Sequence, residues 1–138
     1  MDIKELLTLH EGLELKAYKC TAGKITIGVG RNVEELGITH DEAMYLLSND
    51  IQRVVDELLA NVDCYNSLSD VRKSVLIDMC FNLGISRFLQ FKNFLAAVER
   101  GDWTDAAREM LDSRWATQVG QRSVRLSEMM ISDEWPAA

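Results

Sequence analysis

Near the start of this chain an acid, a thiol and a hydroxyl lie close together: Glu11, Cys20 and Thr26. A carboxylic acid can protonate the leaving oxygen of a glycosidic bond. Polar groups on the other side of the sugar can then position water or support the oxocarbenium-like centre. Thr26 suits that second task through its hydroxyl. Cys20 is the unusual member, because a thiol of ordinary pKa, about 8.5, is only a few per cent thiolate at neutral pH.

The elements around these residues are expected to bring them together. Residues 2–11 read as a helix, with Ile3, Leu7 and Glu11 four apart on one stripe. Gly12 suits the position just past a helix end. Glu11 is therefore expected on a buried stripe at the negative end of the helix dipole, two influences that disfavour a carboxylate. Residues 15–30 look like strand material, with Ile25-Thr26-Ile27-Gly28-Val29-Gly30 rich in β-branched residues. A five-residue connection around Thr21-Ala22-Gly23-Lys24 would set Cys20 directly opposite Thr26. Asn32, just beyond, is placed to line the same cleft.

The remainder reads as helix. Thr39 with Glu42 three residues on is a capping-box signature opening a helix to about residue 60. Further helices are expected over about 69–83, ended by Gly84, over 91–99, ended by Gly101, over 103–111, capped by Asp102, and over 119–131. The fold class is α+β and mostly α. A small β-hairpin lobe (about 13–38) and a helical lobe (1–12 with 61–138) are joined by a long helix (about 39–60), all within one domain spanning 1–138.

Bulk composition narrows the function. The 138 residues are 47% hydrophobic, enough for one buried core, and carry a net charge of −7. That charge argues against nucleic-acid binding, which rests on basic patches. No apolar run approaches the roughly 18–20 residues of a membrane helix, so no stable membrane insertion is expected. The first residues break their apolar character with charge, unlike a secretion signal. The three cysteines cannot all pair within the chain, and free thiols fit a reducing cytoplasm. His10 and His40 are too far apart in sequence to suggest a metal pair by themselves, so no metal or other cofactor is expected.

The trio and its surroundings resemble the phage lysozymes of the T-even type, the muramidases of glycoside hydrolase family 24. Their pattern is a Glu, eight residues, an Asp or Cys, five residues and a Thr, and Glu11, Cys20 and Thr26 fit it without a gap. The blocks Phe81-Asn82-Leu83-Gly84, Trp103-Thr104-Asp105-Ala106-Ala107, Ser113-Arg114-Trp115 and Gln121-Arg122-Ser123 follow in family order. The resemblance implies a lysozyme-like two-lobed fold and hydrolysis of peptidoglycan between N-acetylmuramic acid and N-acetylglucosamine. Glu11 would be the general acid, with Cys20 and Thr26 positioning or activating water. Phe81 and Asn82 match a cleft-wall segment that contacts sugar, and Arg122 matches an arginine that pairs with the catalytic glutamate.

Two departures stand out. The segment from Gly30 to Thr39 is shorter than in longer members, and Arg31 replaces a histidine found in some of them. Two roles stay open for Cys20: assisting water, with inversion, or direct thiolate attack, with retention. The first is favoured because a thioglycoside would hydrolyse slowly. The resemblance further implies a monomeric endolysin held in the host cytoplasm, reaching the wall only through a separate pore-forming protein. The rival readings are a catalytically impaired wall-binding homologue and a lytic transglycosylase. Trp103, Trp115, Trp135, Met79, Met110, Met129 and Met130 read as core or lobe packing, Cys64 and Cys80 as plain buried thiols, and Arg114, Arg122 and Arg125 as a local basic patch.

Overall fold

In a computed structural model that describes residues 1–137, the chain is mostly helical with one three-stranded antiparallel sheet. The elements run α1 (Ile3–Glu11), β1 (Glu14–Lys19), β2 (Ile25–Gly28), β3 (Arg31–Asn32), α2 (Val33–Leu36) and α3 (His40–Asn61). After a 3-10 turn at Tyr65–Ser67 come α4 (Asp70–Leu83), α5 (Ile85–Phe88), α6 (Lys92–Glu99), α7 (Trp103–Leu111), α8 (Arg114–Val119) and α9 (Gln121–Ser132). The chain divides into two compact units, Met1–Leu46 and Leu47–Ala138, with the division inside α3.

The expected boundary signals are satisfied. Thr39 and Glu42 form a reciprocal capping box: the Glu42 N–H donates to Thr39 Oγ1 at 3.1 Å and the Thr39 N–H donates to Glu42 Oε1 at 2.8 Å. Ser69 caps α4 through the Arg72 N–H, and Asp102 caps α7 through the Asp105 N–H. Gly12 and Gly84 end α1 and α4, each donating its N–H to a carbonyl four residues back, at 2.8 Å. Three single-turn or short helices, α2, α5 and α8, were not expected from periodicity. The expected final helix is split from α8 by Gly120, which takes a φ of 58°.

The hydrophobic core lies in the second unit. Leu58, Val75, Leu76, Met79, Phe88, Phe94, Met110 and Met130 are fully enclosed there. Phe91 and Phe94 meet edge-to-face, as do Phe91 and Trp115. All four methionines expected in the core are buried. Trp115 is buried as well, and Trp103 is half-buried beneath the Arg72 guanidinium, 4.0 Å from its ring centroid. Trp135 departs from expectation: it lies beyond the last helix and is exposed. Burial pushes the Cys64 and Cys80 thiols up to about 11 each, which makes them inert as nucleophiles.

Candidate active site

The first unit holds all three residues of the trio. The hairpin register differs from the expected one. Tyr18, not Cys20, pairs with Thr26. Cys20 instead closes a tight turn. Its carbonyl accepts from the Gly23 N–H at 2.8 Å, and its N–H donates to the Lys24 carbonyl at 2.9 Å. Gly23 adopts a φ of 79°, the left-handed geometry of a three-residue hairpin loop that ends in a glycine bulge. The connection is thus two residues shorter than the sequence suggested. A slip of two residues preserves the face, because side chains alternate with period two. Cys20 and Thr26 therefore share one face as diagonal rather than direct neighbours.

A second short turn, Val29-Gly30, brings β3 back along β2. Asn32 then stands directly opposite Thr26, and Arg31 opposite Ile27. Tyr18, Thr26 and Asn32 thus cross one face of the sheet. Thr26 is the only buried residue of the first unit among the described residues. Its hydroxyl donates to the Lys24 carbonyl at 2.9 Å, which leaves the oxygen lone pairs as acceptors. Asn32 Oδ1 accepts from the Glu35 N–H at 3.1 Å, capping α2 and leaving the amide NH2 unused by that cap.

Glu11 reaches the same sheet through Gly30. A methyl group at position 30 would lie 2.6 Å from Glu11 Oε2 and 2.9 Å from its carboxyl carbon. Only glycine permits that approach, and the φ of 65° at Gly30 also favours glycine. The expected burial of Glu11 is not found. Glu11 is exposed, as are Ile3 and Leu7, because nothing within the first unit covers the apolar stripe of α1. Contact with a glycine turn, rather than a buried environment, fixes its position. Gly30→Ala should therefore displace the carboxylate and lower turnover by about 10²-fold, the cost of an ångström-scale misplacement. Steady-state kinetics on a wall suspension would show it, and turnover within threefold of wild type would mean the contact does not position the acid.

Cys20 is half-buried, and the groups around it favour its thiolate. The backbone amide of Lys24 has the largest influence, followed by that of Ala22. The Thr26 hydroxyl adds to them when it turns its proton from the Lys24 carbonyl to the sulfur, and together they hold the thiol below its usual value against the opposing effect of burial. On the other face, Arg31 forms a two-point ion pair with Glu42. Nη1 meets Oε1 and Nη2 meets Oε2, both at 2.8 Å, and Nη1 also donates to the Gly37 carbonyl. Arg31 thus supplies a permanent cation–carboxylate pair on this side of the sheet.

The second unit carries Phe81, Asn82 and Arg122. Phe81 is exposed rather than packed in the core. It lines an apolar hollow with Leu47, Ile51, Ile77, Asp78 and Arg122. Asn82 Oδ1 accepts from the Trp115 indole N–H at 2.8 Å, so Asn82 fixes the ring as well as facing solvent. Arg122 Nε donates to Asp78 Oδ1 at 2.7 Å. Asp78 is a partner that nothing in the sequence singled out, 44 residues away in the chain. Among the described residues, no group of three or more His, Cys, Asp or Glu is arranged to hold a metal ion.

An acid braced against a glycine turn thus lies beside a sheet face bearing a thiol, a hydroxyl and an amide, the groups that acid-assisted bond cleavage needs. Comparison with known proteins identifies the class. The phage lysozyme family matches residues 8–128. The chain is 31% identical to a probable T4-type lysozyme 1 of Dictyostelium discoideum, over 90% of each chain. It is 30% identical to an endolysin of Acyrthosiphon pisum secondary endosymbiont phage 1, covering 86% of this chain and 81% of that one. It is also 26% identical to the pre-baseplate central spike protein Gp5 of Enterobacteria phage T4, covering 96% of this chain but only 28% of that larger protein. The chain belongs to the phage lysozyme family, and its activity class is glycoside hydrolase.

Proposed function

We propose that this protein is an endolysin that hydrolyses the β-1,4 bond between N-acetylmuramic acid and N-acetylglucosamine in peptidoglycan. The observation that carries this reading is the Glu11 carboxylate resting on Gly30, at the end of a sheet whose one face presents Cys20, Thr26 and Asn32. Glu11 donates its proton to the leaving oxygen. Cys20, with its thiolate favoured by the turn amides, and Thr26, with acceptor lone pairs free, position or activate water. Asn32, Phe81 and Asn82 contact the glycan. Arg122, the family position that supports the acid, is already held by Asp78 in this chain.

No helix among the described residues is long and apolar enough to cross a membrane. Release from a host cytoplasm to the wall would depend on a separate pore-forming protein, and the enzyme would act as a monomer at lysis. The test is digestion of purified peptidoglycan followed by mass spectrometry. Hydrolysis yields reducing sugar ends heavier by one water than the anhydro ends of a lytic transglycosylase. Anhydro ends would reject the hydrolase reading, and intact glycan would favour an impaired wall-binding homologue.

A further inference from the structure

The turn that carries Cys20 is fastened through Lys24, by backbone on one side and by side chain on the other. The Lys24 carbonyl accepts from both the Cys20 N–H and the Thr26 hydroxyl, each at 2.9 Å. Its side chain crosses to α2, where Nζ stands 3.4 Å from Glu34 Oε2 and 3.3 Å from Glu35 Oε1. Glu35 in turn donates its backbone N–H to Asn32 Oδ1, and Asn32 stands opposite Thr26 on the sheet. These contacts close a circuit through Thr26, Lys24, Glu35 and Asn32, with Cys20 attached at its Lys24 corner.

Lys24 is unlike the other lysines of its unit. Lys4, Lys16 and Lys19 have no carboxylate within 4.0 Å among the described residues, and Lys24 has two. An exposed ion pair adds little to global stability, because water and salt screen it. It can still choose between neighbouring arrangements of a short segment that little else restrains. That is the situation here: α2 is one helical turn, Val33–Leu36, and β3 is the pair Arg31–Asn32. Thr26 is the buried residue around which these pieces gather.

We infer that Lys24 is a positioning residue of the proposed sugar-cleaving site: by bridging Glu34 and Glu35 it ties the Cys20–Lys24 turn to α2 and holds Cys20 and Thr26 in line with Asn32. The clamp touches no reacting atom. It works through the Lys24 backbone, which every side-chain substitution leaves in place, so its loss should loosen the site rather than abolish it. The effect on turnover rests on the proposed muramidase reading, and the hold on the turn does not.

Two charge changes of opposite sign test the clamp. Lys24→Met removes the cation, and the double variant E34Q/E35Q removes the carboxylates. Acting as charges alone, the first would disfavour the Cys20 thiolate and the second would favour it. Acting through the clamp, both disfavour it, because both release the Lys24 amide from the sulfur. Alkylation of Cys20 by the neutral reagent iodoacetamide at pH 7, followed on the Cys20 peptide by mass spectrometry, should therefore be about threefold slower in both variants. On peptidoglycan, kcat should fall about fivefold in both, with KM within about twofold, as for a small misplacement of the reacting groups. Lys24→Arg should restore both readouts. Lys4→Met, the same loss of charge on the exposed surface of α1, should change neither. The substituted side chains are all at least partly exposed, and unchanged thermal unfolding would confirm that the variants fold. Alkylation of E34Q/E35Q at or above the wild-type rate, or kcat within twofold of wild type in both variants, would overturn the inference. Wild type that leaves peptidoglycan intact would count against the muramidase reading, and alkylation would still decide whether the clamp holds the turn.

Discussion

Glu11→Gln is expected to lower turnover on peptidoglycan by about 10²–10⁴-fold, the usual contribution of a positioned general acid. Glutamine keeps the size of the side chain, so its packing on Gly30 is preserved while the transferable proton is lost. Glu11 is exposed and forms no ion pair within its own unit. Stability should therefore stay within about 0.5 kcal/mol of wild type, as for most surface changes. Clearing of a wall suspension, read beside a thermal unfolding curve, separates the two effects. A variant that unfolds early would have lost structure rather than chemistry. A stable variant with turnover within threefold of wild type would remove Glu11 from the acid role. Gly30→Ala makes the useful contrast, since it leaves the proton in place but moves the group that carries it.

The contrast also shows what a sequence can specify. Signals confined to a few neighbouring residues were legible: Thr39 with Glu42, Asp102 before α7, and the glycines after α1 and α4. The face shared by Cys20 and Thr26 was legible too, because period two tolerates a slip of two. Their direct pairing was not, since it turned on whether Gly23 or Lys24 closed the turn, and only the positive φ at Gly23 decides that. Asn32 opposite Thr26 could have been found from Val29-Gly30 as a tight reversal between two short strands. The exposure of Glu11 was not legible. A stripe along α1 shows which residues share a side, but whether anything covers that side is a tertiary matter. Arg122 with Asp78 was out of reach, being a contact between α4 and α9 with no local signature.

Cys20→Ala should cost about 10²-fold or more in turnover, because alanine can neither activate water nor attack the sugar. Cys20→Asp should retain activity, and its pH profile distinguishes why. On the proposed role the thiolate is the working group in wild type, so activity should rise as pH climbs through the thiol's pKa. The Lys24 and Ala22 amides and the Thr26 hydroxyl lower that pKa, so the rise should come at lower pH than for an unperturbed thiol. A carboxylate titrates lower still, so the rise in Cys20→Asp should move to more acidic pH. Thr26→Val should move the wild-type rise upward, since the hydroxyl no longer favours the thiolate, and should leave the aspartate variant's rise closer to where it was. If Cys20→Ala clears wall at the wild-type rate, the thiol is a structural residue of the turn. If it is inactive, the anomer first released by the wild-type enzyme decides its role: inverted product assigns Cys20 to water, and retained product assigns it to direct attack.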